Sequence, residues 1–473
     1  MSARIAVVGG GFSGAAFALH LLRGFPDLAA DIAIIEPRER LGGGLAYGTT
    51  DKQHRINVAA ARMAVFAEDP EHFDRWFRAT GGLHDDPAAE VAGVGLFPRR
   101  AAFGRYVDSL LRDSAAAAPS ARLRHVRDRV RAIEAADGGW RLALAGGGSV
   151  AADLVVLAVG HPPAAAPSPL AALAGDPGLL GDPWSVLAVP SDARVLIVGT
   201  GLTMTDVVAS LRANGHRGGI VAVSRRGLLP RPRTRQPVRP RGAFATPASG
   251  SALALLRRAR AEVAAGEAEG RPWEDVIDAL RAQGREVWSA LPPPERRRLL
   301  RHLQPFWDVH RYQCAPQIDA LLRTELASGG LRVFAASLRG AVRRLAGIRV
   351  LLHPRGAPAD DVTSLDCDVV ITCTGPSHRT AIAGNPALRR LSRAGLIVPD
   401  PYGLGIAVDD QGRALTVAGC ALDTLRVVGP PARGTWGELM GLPQVSQQPR
   451  DVAAHVAALI GQTEFLPAEE ANA

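Results

Sequence analysis

Ile5 to Val8 are an unbroken apolar run, and after a glycine turn the apolar residues from Ala15 to Leu22 return at helical spacing. Asp31-Ile-Ala-Ile-Ile-Glu36 is a second apolar run closed by an acid. Strands apolar on both faces and joined by a helix predict a β-α-β unit in a parallel sheet. The pattern repeats at Arg194-Val-Leu-Ile-Val198, with a helix after Gly201 and a second strand over Gly219-Ile-Val-Ala-Val-Ser224. Each copy has a closing strand that starts at an acid and ends at a glycine, Asp153 to Gly160 and Asp368 to Gly375. The chain is thus an internal duplication.

Between these anchors the period changes. Leu123–Val126, Val130–Ala135 and Trp140–Leu144 read as a small antiparallel meander turned by Gly146 to Gly148, and Pro162–Pro190 reads as a crossing linker. A stiff basic Pro-rich loop from Leu229 to Pro240 precedes helical periodicity over Leu253–Gly266, Pro272–Ala290, Pro294–Leu303 and Gln317–Ala327, with Gln304 to Arg311 as a passage between helices. Leu415–Ala418 and Thr424–Val428 read as strands and Val452–Ile460 as a closing helix, with the last dozen residues expected to lack order. The predicted fold is α/β, two Rossmann-like dinucleotide-binding domains with a helical insertion. Residues 1–165 and 377–473 form the first domain, residues 190–376 the second, and residues 240–328 the insertion.

Composition narrows the class. A chain of 473 residues, 47% of them hydrophobic, can bury two or three cores. The net charge is +9, but Lys52 is the single lysine and the arginines are scattered without interleaved aromatics, so nucleic acid is not an expected partner. The 4 cysteines form no C-x-x-C pair and no zinc spacing, which argues against a disulfide relay. With no signal-like start and no apolar run long enough to span a bilayer, the expectation is a cytoplasmic protein with no membrane partner.

The candidate chemistry lies at the glycine turns. Gly9, Gly11 and Gly14, with Phe12 and Ser13 between them, have the G-x-G-x-x-G spacing of a turn that sets a diphosphate on a helix N-terminus, and Glu36 is placed to accept the ribose hydroxyls of FAD or NAD. Gly199 and Gly201 repeat the turn, with Thr203 beside Met204 in the third glycine's place. There Ser224, Arg225 and Arg226 replace the acid, and suit either a 2′-phosphate, hence NADPH, or plain solvation beside a structural repeat. Gly44, in a run of three glycines, and the strand-end glycines Gly160 and Gly375 allow close approach of backbone to a cofactor. Asn57, Arg62 and Met63 belong either to the same region or to ordinary loop and helix surface. Asp308, His310 and Arg311 beside Phe306 and Trp307 form either an anionic-substrate site or a core turn, and Trp436 is either a flavin-edge contact or core.

Taken together, Gly9–Gly14, Leu41-Gly-Gly-Gly-Leu-Ala-Tyr47 with Asn57 and Arg62-Met63, Gly199–Met204, Ser224–Arg231, Phe306–Arg311 and Thr374-Gly-Pro376 resemble the FAD/NAD(P)-binding protein family that includes the YdhS-like oxidoreductases. The resemblance covers nearly the whole chain and implies FAD in the first half and NADPH in the second. It also places the chain near the flavin-dependent N-hydroxylating monooxygenases, with aspartate N-oxygenases that lead to nitrosuccinate among the relatives. Val428-Gly-Pro-Pro431 departs from the Gly-Asp common near the flavin in such proteins. The expected activity is an NADPH-dependent flavin monooxygenase that N-oxygenates a small amine or amino acid with dioxygen, with Arg311 and Asn57 as catalytic-site residues. The alternative is an NADPH-dependent flavin reductase passing electrons to a partner protein or quinone.

Overall fold

The computed structural model describes residues 2–234, 236 and 238–462, so residues 463–473 of the expected tail, and two positions of the Pro-rich loop, lie outside it. Two sheets organise the chain. The first runs, in spatial order, Arg413–Leu415, Ala421–Val427, Leu154–Leu157, Ala3–Val8, Ala30–Ile35 and Ala121–Val126. All its pairings are parallel except the edge strand Arg413–Leu415. The second runs Leu179–Leu180, Val369–Thr372, Val195–Val198, Ile220–Ser224, Leu331–Arg344, Gly347–Pro354 and Thr363–Cys367, parallel as far as Leu331–Arg344 and antiparallel beyond it.

The central strands Leu154–Leu157, Val195–Val198 and Val369–Thr372 are buried at every position, as expected of strands covered on both faces. Helix Phe12–Gly24 covers the first sheet and packs against helices Arg100–Ala116 and Gln444–Gln462, so the C-terminal segment closes the N-terminal core.

Three expectations need correction. Strand Ala121–Val126 is not part of the meander: it pairs in parallel with Ala30–Ile35, from Ala30 with Ala121 to Ile35 with Val126. The open edge of the large sheet wins over the hairpin partner nearer in sequence, leaving Val130–Ala136, Gly139–Leu144 and Ser149–Ala152 as the antiparallel sheet. The Gln304–Arg311 passage is itself a helix, with Pro305 in the first turn, where a missing N–H costs nothing. The Pro162–Pro190 linker supplies the edge strand Leu179–Leu180.

A clamp is repeated in the two halves. Asp153 accepts hydrogen bonds from the Arg4 amide at 2.7 Å and from its guanidinium, tying the opening strand to the closing one. Asp368 does the same for Arg194, with 2.7 Å to its amide. The Asp153 side chain is 8% exposed and that of Asp368 39%. Asp153→Ala strands a backbone amide and is expected to cost about 1–3 kcal/mol, with Asp368→Ala costing less. Urea-unfolding midpoints of the two variants at unchanged m-value check this order.

Candidate active site

In the first half the chain turns from strand Ala3–Val8 into helix Phe12–Gly24 through a backbone that only glycine fits. A Cβ on Gly9, at φ +105°, would lie 2.4 Å from the Ala158 carbonyl oxygen, and one on Gly14 would lie 2.1 Å from that of Gly9. No side chain caps the helix at Gly11, so its first amides are left for an anion. Glu36, buried at the end of Ala30–Ile35, accepts from the Gly10 amide at 3.0 Å and from Arg38 Nη1 at 2.9 Å. The Phe12 side chain turns inward onto Tyr47 and Phe103, leaving only its backbone in the turn. Gly44 packs on Gly11, where a Cβ would lie 2.9 Å from the Gly11 Cα; this glycine run therefore shapes the turn through backbone contact.

The second half repeats the arrangement. A Cβ on Gly199 would lie 2.1 Å from the Cys373 carbonyl oxygen, and helix Leu202–Ala213 starts at Gly201 without a side-chain cap. The Ser224 hydroxyl is within 2.8 Å of that of Thr200 and accepts from the Gly227 amide. Arg225 is exposed, and Arg226 stacks over the Phe306 ring at 4.9 Å; among the described residues neither has a carboxylate at ion-pair distance. The crevices therefore have the residues that FAD and NADPH need: a glycine turn, free helix amides, and an acid in one half against two arginines in the other.

The turn Ala60–Arg62, the Pro-rich loop and the insertion bring together Arg62, Arg233, Arg281 and Arg311, against Glu438 and Gln444 of the C-terminal segment. Arg62 pairs with Asp278, and Arg311, 5% exposed, pairs with Glu438 at 3.2 Å. Arg233 Nε donates to the backbone oxygen of Asn57 at 2.7 Å, and Arg281 Nε to Gln444 Oε1 at 3.1 Å. Burial, followed by the charges of Arg62 and Arg311, pushes Arg233 down to about 10, and burial with Arg311 pushes Arg281 down to about 9. Arg281 Nη2 is buried without a hydrogen-bond partner, and the Arg311 Nη2 contact with Glu438 is an ion pair without hydrogen-bond alignment. Glu274 is the other buried acid of the cluster, with its pKa raised by burial. Asp308, whose carboxyl is acted on by Arg311 and Glu438, is a further acid at the edge of the cluster.

Arg311, Arg62 and the backbone of Asn57 meet in this cluster, while Met63 is buried in the core. One face of Trp436 is covered by Arg285, 3.8 Å from the ring centre. Gly160 and Gly375, at φ +69° and +77°, leave the closing strands and lead to His161 and His378, whose rings meet at 5.6 Å.

These features can be set beside known proteins. Residues 6–162 match the FAD-NAD(P)-binding family model. No curated protein sequence matches the chain. Among solved structures, the reduced ornithine hydroxylase PvdA from Pseudomonas aeruginosa is similar with a TM-score of 0.61 at 17% identity, over 98% of this chain and 99% of that one. The ornithine N-hydroxylase KtzI of Kutzneria sp. 744, with reduced FAD, NADP+ and L-ornithine, gives 0.60 at 17% identity over 98% and 99%. L-lysine 6-monooxygenase from Pseudomonas syringae gives the same 0.60, 17%, 98% and 99%. The fold is that of flavoproteins with two dinucleotide-binding domains.

Sequence reasoning missed Arg233, Arg281, Glu438, His161, His378 and Arg433. Arg233 lies in the basic Pro-rich loop and the histidines follow the two strand-end glycines, so both had a readable signal; the others are joined only by the tertiary fold. A Cβ on Gly201 meets nothing within 4 Å. Gly201→Ala should therefore leave the melting temperature unchanged while weakening NADPH binding by roughly tenfold, about 1.4 kcal/mol, measured by flavin-absorbance titration.

Proposed function

We propose that the chain is an NADPH-dependent flavin monooxygenase of the cytoplasm that uses dioxygen to N-oxygenate a small amine bearing a carboxylate, an amino acid in the simplest case. The observation that carries this reading is the buried pair Arg281 and Arg311: Arg281 Nη2 has no hydrogen-bond partner, and Arg311 Nη2 has only the Glu438 oxygen, at 3.2 Å, that its Nε already uses. A buried guanidinium nitrogen short of an acceptor is costly, and a substrate carboxylate would satisfy such donors. Among the described residues, no group of three or more potential metal ligands occurs, and no helix is long and apolar enough to cross a membrane.

Gly9, Gly11, Ser13, Gly14 and Glu36 would hold the adenosine diphosphate of FAD, and Gly199, Gly201, Thr203, Arg225 and Arg226 that of NADPH. Bound FAD supplies hydride acceptance and oxygen activation. The chain's own residues fix the substrate and exclude water: Arg281 and Arg311 hold the carboxylate, Arg233 keeps the Asn57 backbone in place, and helices Glu274–Ala282 and Gln304–Arg311 wall the pocket. The amine is thereby held at fixed distance and loses the freedom that a second-order encounter would have to overcome.

Arg281 is the cleaner test of carboxylate binding, because truncating Arg311 would leave Glu438 buried without its partner. Arg281→Met should raise KM for an accepted amino acid tenfold to a hundredfold, about 1.5–3 kcal/mol, while leaving FAD content and the KM of the matching decarboxylated amine unchanged. NADPH-dependent oxygen uptake with hydroxylamine detection over an amino-acid panel reads this. Peroxide with every amine, together with fast electron transfer to a protein or quinone, would replace the monooxygenase by the reductase. Arg225→Ala/Arg226→Ala should abolish a preference for NADPH over NADH in stopped-flow flavin reduction, and equal rates in the unaltered protein would remove the NADPH assignment.

A further inference from the structure

Each half delivers a histidine to the same place. In the first sheet, strand order reverses between Ala3–Val8 and Leu154–Leu157. A dinucleotide with its adenosine toward Glu36 must extend its other half over the ends of Leu154–Leu157 and Ala421–Val427. The second sheet repeats this between Val195–Val198 and Val369–Thr372, with adenosine toward Ser224 and the other half toward Gly375. His161 follows the first closing strand and His378 the second, and their rings meet edge to face at 71°. The topology therefore directs the reactive halves of both dinucleotides to one junction.

Arg433 lies at that junction. It follows the turn Pro430–Ala432 that leaves strand Ala421–Val427, and its charge acts on His161 and His378 and also on Asp308 and Tyr312. Its side chain is buried, its Nε donates to the Gly437 oxygen at 3.2 Å, and among the described residues no carboxylate lies within ion-pair distance. Burial first, then His378 and Arg433, brings His161 down to about 3; burial, then Arg433, brings His378 to about 4. Both imidazoles are therefore uncharged at neutral pH. The buried His161 Nδ1 and His378 Nε2 have no hydrogen-bond partner. A buried guanidinium whose facing acid, Asp308, lies beyond ion-pair distance, beside two unsatisfied neutral rings, is an arrangement that a ligand completes.

We propose that Arg433 is the counter-charge for the flavin, stabilising the negative charge that reduction places on its ring, and that His161 and His378 are its neutral hydrogen-bonding neighbours at the flavin–nicotinamide contact. Two electrons and one proton pass as hydride from the nicotinamide, leaving NADP+ and one negative charge on the flavin ring. Arg433 pairs with that charge without moving a proton. This rests on the FAD assignment above but not on the substrate.

The test is the midpoint potential of the FAD-loaded full chain at pH 8, by dye-coupled reductive titration, in Arg433→Gln, Arg433→Lys and Asp308→Asn. Arg433→Gln should shift the reduced-to-oxidised ratio at least tenfold toward oxidised flavin, about 30 mV for a two-electron couple. Arg433→Lys should stay within threefold of the unaltered protein, which a purely structural role would not ensure. Asp308→Asn, removing a negative charge that faces Arg433, should move the potential the other way. An unchanged potential in Arg433→Gln with full FAD content overturns the proposal, as does movement of Arg433→Gln and Asp308→Asn in the same direction. If Arg433→Gln loses FAD, Asp308→Asn decides: a rise supports the proposal and no rise overturns it. Failure of the unaltered protein to take up FAD would overturn the proposed function itself, so the two failures are distinct.

Discussion

The contact on which both halves depend is backbone against backbone. Gly9 lies against the Ala158 carbonyl and Gly199 against that of Cys373, each so close that a Cβ would overlap the oxygen. This contact brings the opening strand, the closing strand and the helix N-terminus to one point. In each half the helix that follows has a glycine at its cap position, so no side chain caps it and the first amides of Phe12–Gly24 and Leu202–Ala213 remain open to an anion. The close backbone contact and the uncapped helix N-terminus thus occur together, twice in the same chain. The Asp153–Arg4 and Asp368–Arg194 clamps brace the same strand pairs at their other ends.

That duplication was legible because it is local. Apolar runs, glycine spacing and the acid or arginines at the second strand lie within a few tens of residues, and their physics needs no tertiary partner. Ala121–Val126 was misassigned because its pattern fits a hairpin as well as a sheet edge, and the competition between the two is settled by which edge is left open. Strands Leu331–Arg344, Gly347–Pro354 and Thr363–Cys367 had gone unread; half-exposed and charged, they lack the apolar runs that marked the core strands. The arginine cluster was only partly visible. Arg311 stood out beside aromatic residues, but Arg281 reads as one more polar position on an amphipathic helix. Its unsatisfied nitrogen exists only because the fold packs it against Gln444 and Arg311.

The pairing state of each arginine separates scaffold from site. Arg4, Arg55 and Arg212 pair with acids and fix strands or loops. Arg281 and Arg433, both buried, have no carboxylate at that range among the described residues, and Arg311 keeps one donor unsatisfied despite Glu438. Folding does not benefit from a desolvated charge left in this state, which is why the proposed substrate and flavin contacts are assigned to these positions.

For two crevices to act on each other, the halves must keep one mutual arrangement. A buried polar seam between them does this. Arg100 pairs with Asp206 at 2.7 Å, and His54 meets the Ser210 hydroxyl, which donates to Asp51 at 2.6 Å. Asp206 is buried enough for its pKa to be raised by desolvation despite the nearby Arg100 charge, so the seam is dry and its geometry demanding. Seam residues from the first half lie just before the Asn57 region and on helix Arg100–Ala116; those from the second lie on the helix that starts at Gly201. The helix that follows the second glycine turn is therefore anchored directly to the loop before Asn57 and to helix Arg100–Ala116 of the first half. A dinucleotide seated in the second crevice is thereby registered against the first without a separate hinge element, and the His161–His378 contact lies where that registration brings the closing strands together.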